Sequence, residues 1–173
     1  MKKFFLHYSF YAVKMFINQF AISLFGMTLS MVFTSVESPI GQLLSSIFSV
    51  LFYLFLLYNM TWDLGYKDRI AKGHGTLDPK PLNGLYTSLL ANSINFILAV
   101  FAILKFDFAS FAIIIEGMYS GIMMYIANGA EIPTWLYMAI IAPAILVSSA
   151  SYYLGLKDIR LIPWFNFKYK EKK

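Results

Sequence analysis

Between Thr61 and Gly84 the chain reads TWDLGYKDRIAKGHGTLDPKPLNG. Its Asp63, Asp68, His74 and Asp78 are residue types that hold divalent cations, because carboxylate oxygens suit hard ions and an imidazole widens the choice. The rest of the constellation is missing. The sequence has two histidines and no cysteine, which excludes thiolate ligands, thiol nucleophiles, disulfides and the common zinc spacings. Gly73-His74-Gly75 lacks the Gly-Lys-Ser/Thr that completes a phosphate loop. No serine is paired with a histidine. The expectation is therefore a protein without catalytic residues, metal or cofactor, and not an enzyme. The alternating charges of Asp63, Lys67, Asp68 and Arg69 instead suit a cytoplasmic loop that docks a partner.

A second set of candidates is uncharged. Ser88, Asn92, Asn95 and Ala99 recur at i, i+4, i+7 and i+11, one stripe along a helix. Ala144, Ser148, Ser151 and Gly155 form another, and Ser45 and Ser49 share a face. In an apolar solvent such side chains either join helices closely or line a polar path, with Asn18 and Gln19 at its inner end. Glu116 is the single carboxylate expected near the interior of a bilayer, and a functional candidate if embedded. Beside it, Gly117 and Gly121 form a GxxxG spacing, either a helix-pairing face or a turn between two half-helices.

The elements that must position these residues follow from composition. With 59% hydrophobic and 13% charged residues against about 25% charged in soluble domains, the natural solvent is lipid. About 20 helical residues cross a hydrocarbon core of about 30 Å, and four stretches qualify: 15–35, 40–60, 84–104 and 133–154. The basic start MKKFF leads into the first span as an interfacial segment, because Lys14 interrupts any signal-peptide core and no small-residue cleavage site follows. A fifth apolar stretch, 108–129, is long enough to cross as a fifth span, the alternative to a re-entrant or interfacial segment that charge favours. With four spans, 13 of the 14 basic residues share one side and only Lys105 lies opposite, as the positive-inside bias requires. A fifth crossing would set the six basic residues of the tail against the other seven and abolish the bias. The net charge of +5 thus reflects topology, not nucleic-acid binding.

The expected architecture is an all-α integral membrane protein: a four-transmembrane-helix bundle in one domain, with 108–129 re-entrant or interfacial on the outer side. The loop 61–83, the basic tail 155–173 and both termini face the cytoplasm. Leu64-Gly65-Tyr66-Lys67-Asp68 and Leu154-Gly155-Leu156-Lys157-Asp158 each follow an even-numbered span, and Glu37-Ser38-Pro39 and Glu131-Ile132-Pro133 precede those spans. They read either as two parallel-repeat hairpins or as one helix-stop signal written twice. The segments WDLGYKD, LLANSINFILAVFAIL and YYLGLKD resemble small, uncharacterised multi-span membrane proteins of Gram-positive bacteria, which implies the cytoplasmic membrane and no particular activity. The functional expectation is a transporter or channel subunit, in a homo-oligomer or with another membrane protein, whose path runs along Ser88, Asn92, Asn95, Ser148 and Ser151. The alternative is a non-transporting assembly or regulatory subunit docking through the loop and tail.

Overall fold

The computed structural model describes residues 2–105, 117–128 and 130–161, with side chains from His7 onward. All regular structure among the described residues is helical: α1 (Lys2–Ser35), α2 (Pro39–Gly73), α3 (Asn83–Ala91), α4 (Ser93–Ile103), a 3-10 turn (Gly117–Tyr119) leading into α5 (Ser120–Ala127), α6 (Leu136–Ala139) and α7 (Ala142–Lys157). Three helices, His7–Ser35, Pro39–Gly73 and Leu136–Lys157, are long and apolar enough to cross a membrane, and the bent pair α3–α4 makes up to four. Their outward faces carry Phe10, Ile17, Leu44, Phe48, Leu51 and Leu146, all well exposed. Their inward faces carry Gln19, Ser46, Ser49, Asn92 and Asn95. Apolar surface turned outward over a polar interior points to a membrane protein.

Local chemistry explains the start of α2. Ser38 accepts the Gly41 amide at 3.2 Å as N-cap, and Pro39 occupies the first turn, where its missing amide costs nothing. The second Glu-x-Pro has no such role: residues 131–133 are non-helical, α6 begins at Leu136, and Pro143 supplies the first-turn proline of α7. The helix ends differ as well. At 1.5 Å per residue, α1 and α2 are each about 50 Å long, far beyond a 30 Å hydrocarbon layer. Helix α2 passes straight through residues 61–73, so the expected cytoplasmic loop is only 74–82, and Asp63, Lys67, Asp68 and Arg69 lie on a helix. Neither copy of Leu-Gly-x-Lys-Asp ends at its glycine. The second copy stops α7 through Asp158, in the left-handed conformation at φ 59.

The glycines serve packing. A Cβ on Gly65 would collide with the Tyr152 carbonyl, and one on Gly155 would collide with the Trp62 carbonyl. Gly65 also faces Leu156, and Gly155 faces Tyr66. The contact is reciprocal at an offset of ninety residues, and Thr61 bonds Ser151 across it at the same offset. Helices α2 and α7 therefore cross backbone to backbone about a local two-fold relation.

The 117–128 segment wedges between α1 and α2. Gly117 faces Met27 and Ser23, Gly26 faces Met118, and Gly121 abuts the Gln42 carbonyl while its amide donates to Ser46 Oγ at 2.8 Å. Both glycines of the GxxxG thus pack against other helices. Met118 sits level with Ser49, about 15 Å along α2 from Pro39, whereas Gly121 reaches Gln42 near the helix start. The segment runs from the level of Ser49 toward the Pro39 end of α2.

Thermal unfolding in detergent tests the crossing. Gly65→Ala and Gly155→Ala are each expected to destabilise by about 1–3 kcal/mol through overpacking against backbone. Gly73→Ala, with nothing near its added Cβ, is expected to be neutral or slightly stabilising.

Candidate functional site

Two polar centres lie in the bundle. The first is built on Asp68, only 1% exposed. Its Oδ2 accepts the hydroxyls of Tyr8 and Tyr152, both at 2.7 Å, and its Oδ1 lies 3.0 Å from Nε2 of the half-exposed His7. Asn83 Nδ2 in turn donates to the Tyr8 oxygen at 2.7 Å. One carboxylate therefore joins α1, α2 and α7 directly and α3 through Tyr8. Asp68 can be buried because α2 continues past Trp62 and the crossing at Gly65 brings Tyr152 within reach. A buried carboxylate is tolerable only with such donors.

The second centre forms where α3 gives way to α4. Helices α3 and α4 meet at a 51° bend, with Asn92 between them at φ −90, ψ 5. Asn92 competes for its own helix's bonds: both its backbone amide and its Nδ2 donate to the Ser88 carbonyl, each at 2.9 Å. Ser93 Oγ likewise donates to the Leu90 carbonyl at 2.8 Å. Side chains returning to the preceding turn bend helices in this way. Asn95 Nδ2 then donates to Asn92 Oδ1 at 2.8 Å and to Gln19 Oε1 at 2.7 Å, and the Tyr53 hydroxyl donates to the same Gln19 oxygen at 3.3 Å. Beside the bend, Ala12, Val13, Phe16, Leu90, Ala91 and Ile94 line an apolar groove of about 330 Å³.

The amide orientations follow from one fixed group. The Ser88 carbonyl only accepts, so Asn92 must present its nitrogen there and its oxygen to Asn95; Asn95 must answer with its nitrogen. The Asn95 oxygen is thereby turned away. Asn95 Oδ1 and Ser88 Oγ, in residues 1% and 0% exposed, have no hydrogen-bond partner among the described residues.

The structure buries Ser88, Asn92, Asn95, Ser148 and Ser151 alike, but sorts them chemically. Ser148 donates to the Ala144 carbonyl and Ser151 meets Thr61. Ser45 and Ser49 donate to Gln42 and Ser45 of their own helix. These hydroxyls are occupied, whereas that of Ser88 is not. The expected docking residues are also engaged within the chain. Lys67 pairs with Asp63 at 2.6 Å, Arg69 pairs with Asp158 at 2.8 Å, and Asp68 is internal. Asp68 therefore cannot present its charge to a partner on this surface. Glu116 and the residues from 162 onward lie outside the described residues. No group of three or more His, Asp or Glu is placed to hold a metal among the described residues.

Sequence reasoning missed His7, Tyr8 and Tyr152 as partners of Asp68, Asn83 as a partner of Tyr8, and Tyr53 as a partner of Gln19. Nothing local to Asp68 marks it as buried. No protein-family model, curated protein or solved structure matches the chain.

Replacement of Asp68 tests the first centre. Asp68→Ala is expected to cost roughly 3 kcal/mol or more by thermal unfolding, since two hydroxyls and an imidazole lose their acceptor. Asp63→Ala, which breaks only an exposed pair, is expected to change stability by about 0.5 kcal/mol or less.

Proposed function

We propose that the protein is a small multi-pass transporter or channel subunit of the cytoplasmic membrane, working in an oligomeric assembly. The observation that carries this reading is the broken helix at Asn92. A break in a helix at membrane depth exposes polar groups that lipid cannot satisfy, and it is sustained where protein or a cavity covers it. Discontinuous helices of this kind form the solute sites of many transporters. Gln19 lies 16 residues from Ser35 and Tyr53 lies 14 from Pro39, depths of about 24 and 21 Å from the helix ends. Both fall within a 30 Å hydrocarbon layer. The Asp68 centre, about 44 Å along α2 from Pro39, lies beyond that layer and ties the helices together at the cytoplasmic mouth.

In this reading α3–α4 is the fourth span, the 117–128 segment belongs to a re-entrant element on the outer side, and both termini face the cytoplasm with 13 of the 14 basic residues. The path follows Ser88, Asn92, Asn95 and Gln19, while Ser148 and Ser151 hold α7 against α2 beside it. The bilayer and a second copy or another membrane protein are the partners.

Reconstitution provides the test. Liposomes carrying the protein are expected to pass at least one member of a panel of small ions and neutral solutes faster than empty liposomes. Asn92→Ala and Asn95→Ala are expected to cut that rate by about tenfold with unchanged elution on gel filtration. Equal rates with and without protein for every solute would refute transport. Impermeant labelling of single cysteines at 78 and 130, introduced into this cysteine-free chain, is expected to place the two positions on opposite sides of the membrane.

A further inference from the structure

We infer that the Asn92 break binds a small uncharged solute that donates hydrogen bonds, of the size and chemistry of a primary amide. This inference rests on the transport reading and names the solute class for that same site. It follows from what the centre offers and lacks. The groups at the bend are amides and hydroxyls from Gln19, Tyr53, Ser88, Asn92 and Asn95. None of these carries charge at neutral pH. An ion arriving without its hydration shell would find no counter-charge among them, and an unpaired charge in low dielectric is far costlier than a neutral polar group. A neutral ligand avoids that cost.

The direction of hydrogen bonding narrows the class further. Both hydrogens of Asn95 Nδ2 are committed, to Gln19 and to Asn92, and Gln19 Oε1 already accepts from Asn95 and Tyr53. The unpartnered atoms are a pure acceptor, Asn95 Oδ1, and a hydroxyl, Ser88 Oγ, which accepts or donates. A ligand must therefore bring at least one N–H or O–H for Asn95, and it gains a second bond if it also offers an acceptor or donor to Ser88. A molecule with acceptors alone leaves Asn95 unsatisfied. Met15, Tyr53, Leu57 and Ala99, packed in the same core, are each 1% exposed or less, so close packing sets an upper limit of a few heavy atoms.

The probes are acetamide and its donor-free analogue N,N-dimethylacetamide, with sodium, potassium and chloride as charged controls. In proteoliposomes acetamide is expected to cross about tenfold or more faster than the analogue and than each ion. Ser88→Ala and Asn95→Leu are each expected to remove most of that advantage. Ser88→Ala deletes only an unpartnered hydroxyl and strands no partner, so it keeps the test valid should Asn95→Leu fail to fold. Preferential ion flux, or equal passage of acetamide and its analogue, would overturn the inference while leaving the transport reading intact. Absence of all flux would end the transport reading, and the unfolding midpoint would then decide the site. A rise with acetamide that the analogue does not give and Ser88→Ala abolishes supports it; no such rise refutes it.

Discussion

Two missing Cβ atoms set the geometry of this bundle. Helices α2 and α7 approach until the backbone around Gly65 meets Tyr152 and Leu156, and the backbone around Gly155 meets Trp62 and Tyr66. In lipid, where burying apolar surface gives little net drive, such close approach is what holds helices together, through dispersion and short polar contacts. Other links depend on it. Thr61 reaches Ser151, the Trp62 indole donates to the Ile159 carbonyl at 2.8 Å with the Arg160 guanidinium over its ring, and Tyr152 reaches Asp68. Any larger residue at either glycine would separate the groups that these bonds join.

The two polar centres have opposite characters. Around Asp68 each described group has found a partner, and the result is a closed knot of side chains from four helices. Around Asn92 the Asn95 amide nitrogen donates both toward Asn92, which donates on to the Ser88 carbonyl, and toward Gln19, and the Asn95 oxygen is left over. A satisfied network rigidifies, whereas each buried polar atom left without a partner carries a desolvation cost. In the proposed reading the knot is architectural and the break is the functional element. It also separates the serines, which the sequence presents as equivalent: those on α2 and α7 return their hydroxyls to their own helix or across the crossing, and Ser88 does not.

The sequence was most legible where a pattern is local. Ser88, Asn92, Asn95 and Ala99, expected as one stripe along a helix, are all buried but are divided between two helices by the bend at Asn92, and Ser38-Pro39 stands at the start of α2. It was least legible where a neighbour decides the outcome. Residues 61–73 look like a charged loop because their polar side chains suit water, yet packing on α7 carries the helix through them. Leu-Gly-x-Lys-Asp looks like a helix terminator because glycine favours caps, yet here glycine provides clearance. The two Glu-x-Pro segments are alike in sequence and unlike in structure, because Pro39 opens a helix and Pro133 precedes one.

By itself, then, the sequence determined the solvent, the helical class and the outward-facing apolar surface, since these depend on composition and on a period of 3.6 residues. It also determined which uncharged polar residues share a face. The tertiary structure decided which of them remain unpartnered and that Asp68 is enclosed by Tyr8, Tyr152 and His7. Those outcomes rest on contacts between residues 60 to 90 positions apart, a separation at which no local propensity acts. Only the folded chain fixes the distances and directions on which hydrogen bonds depend.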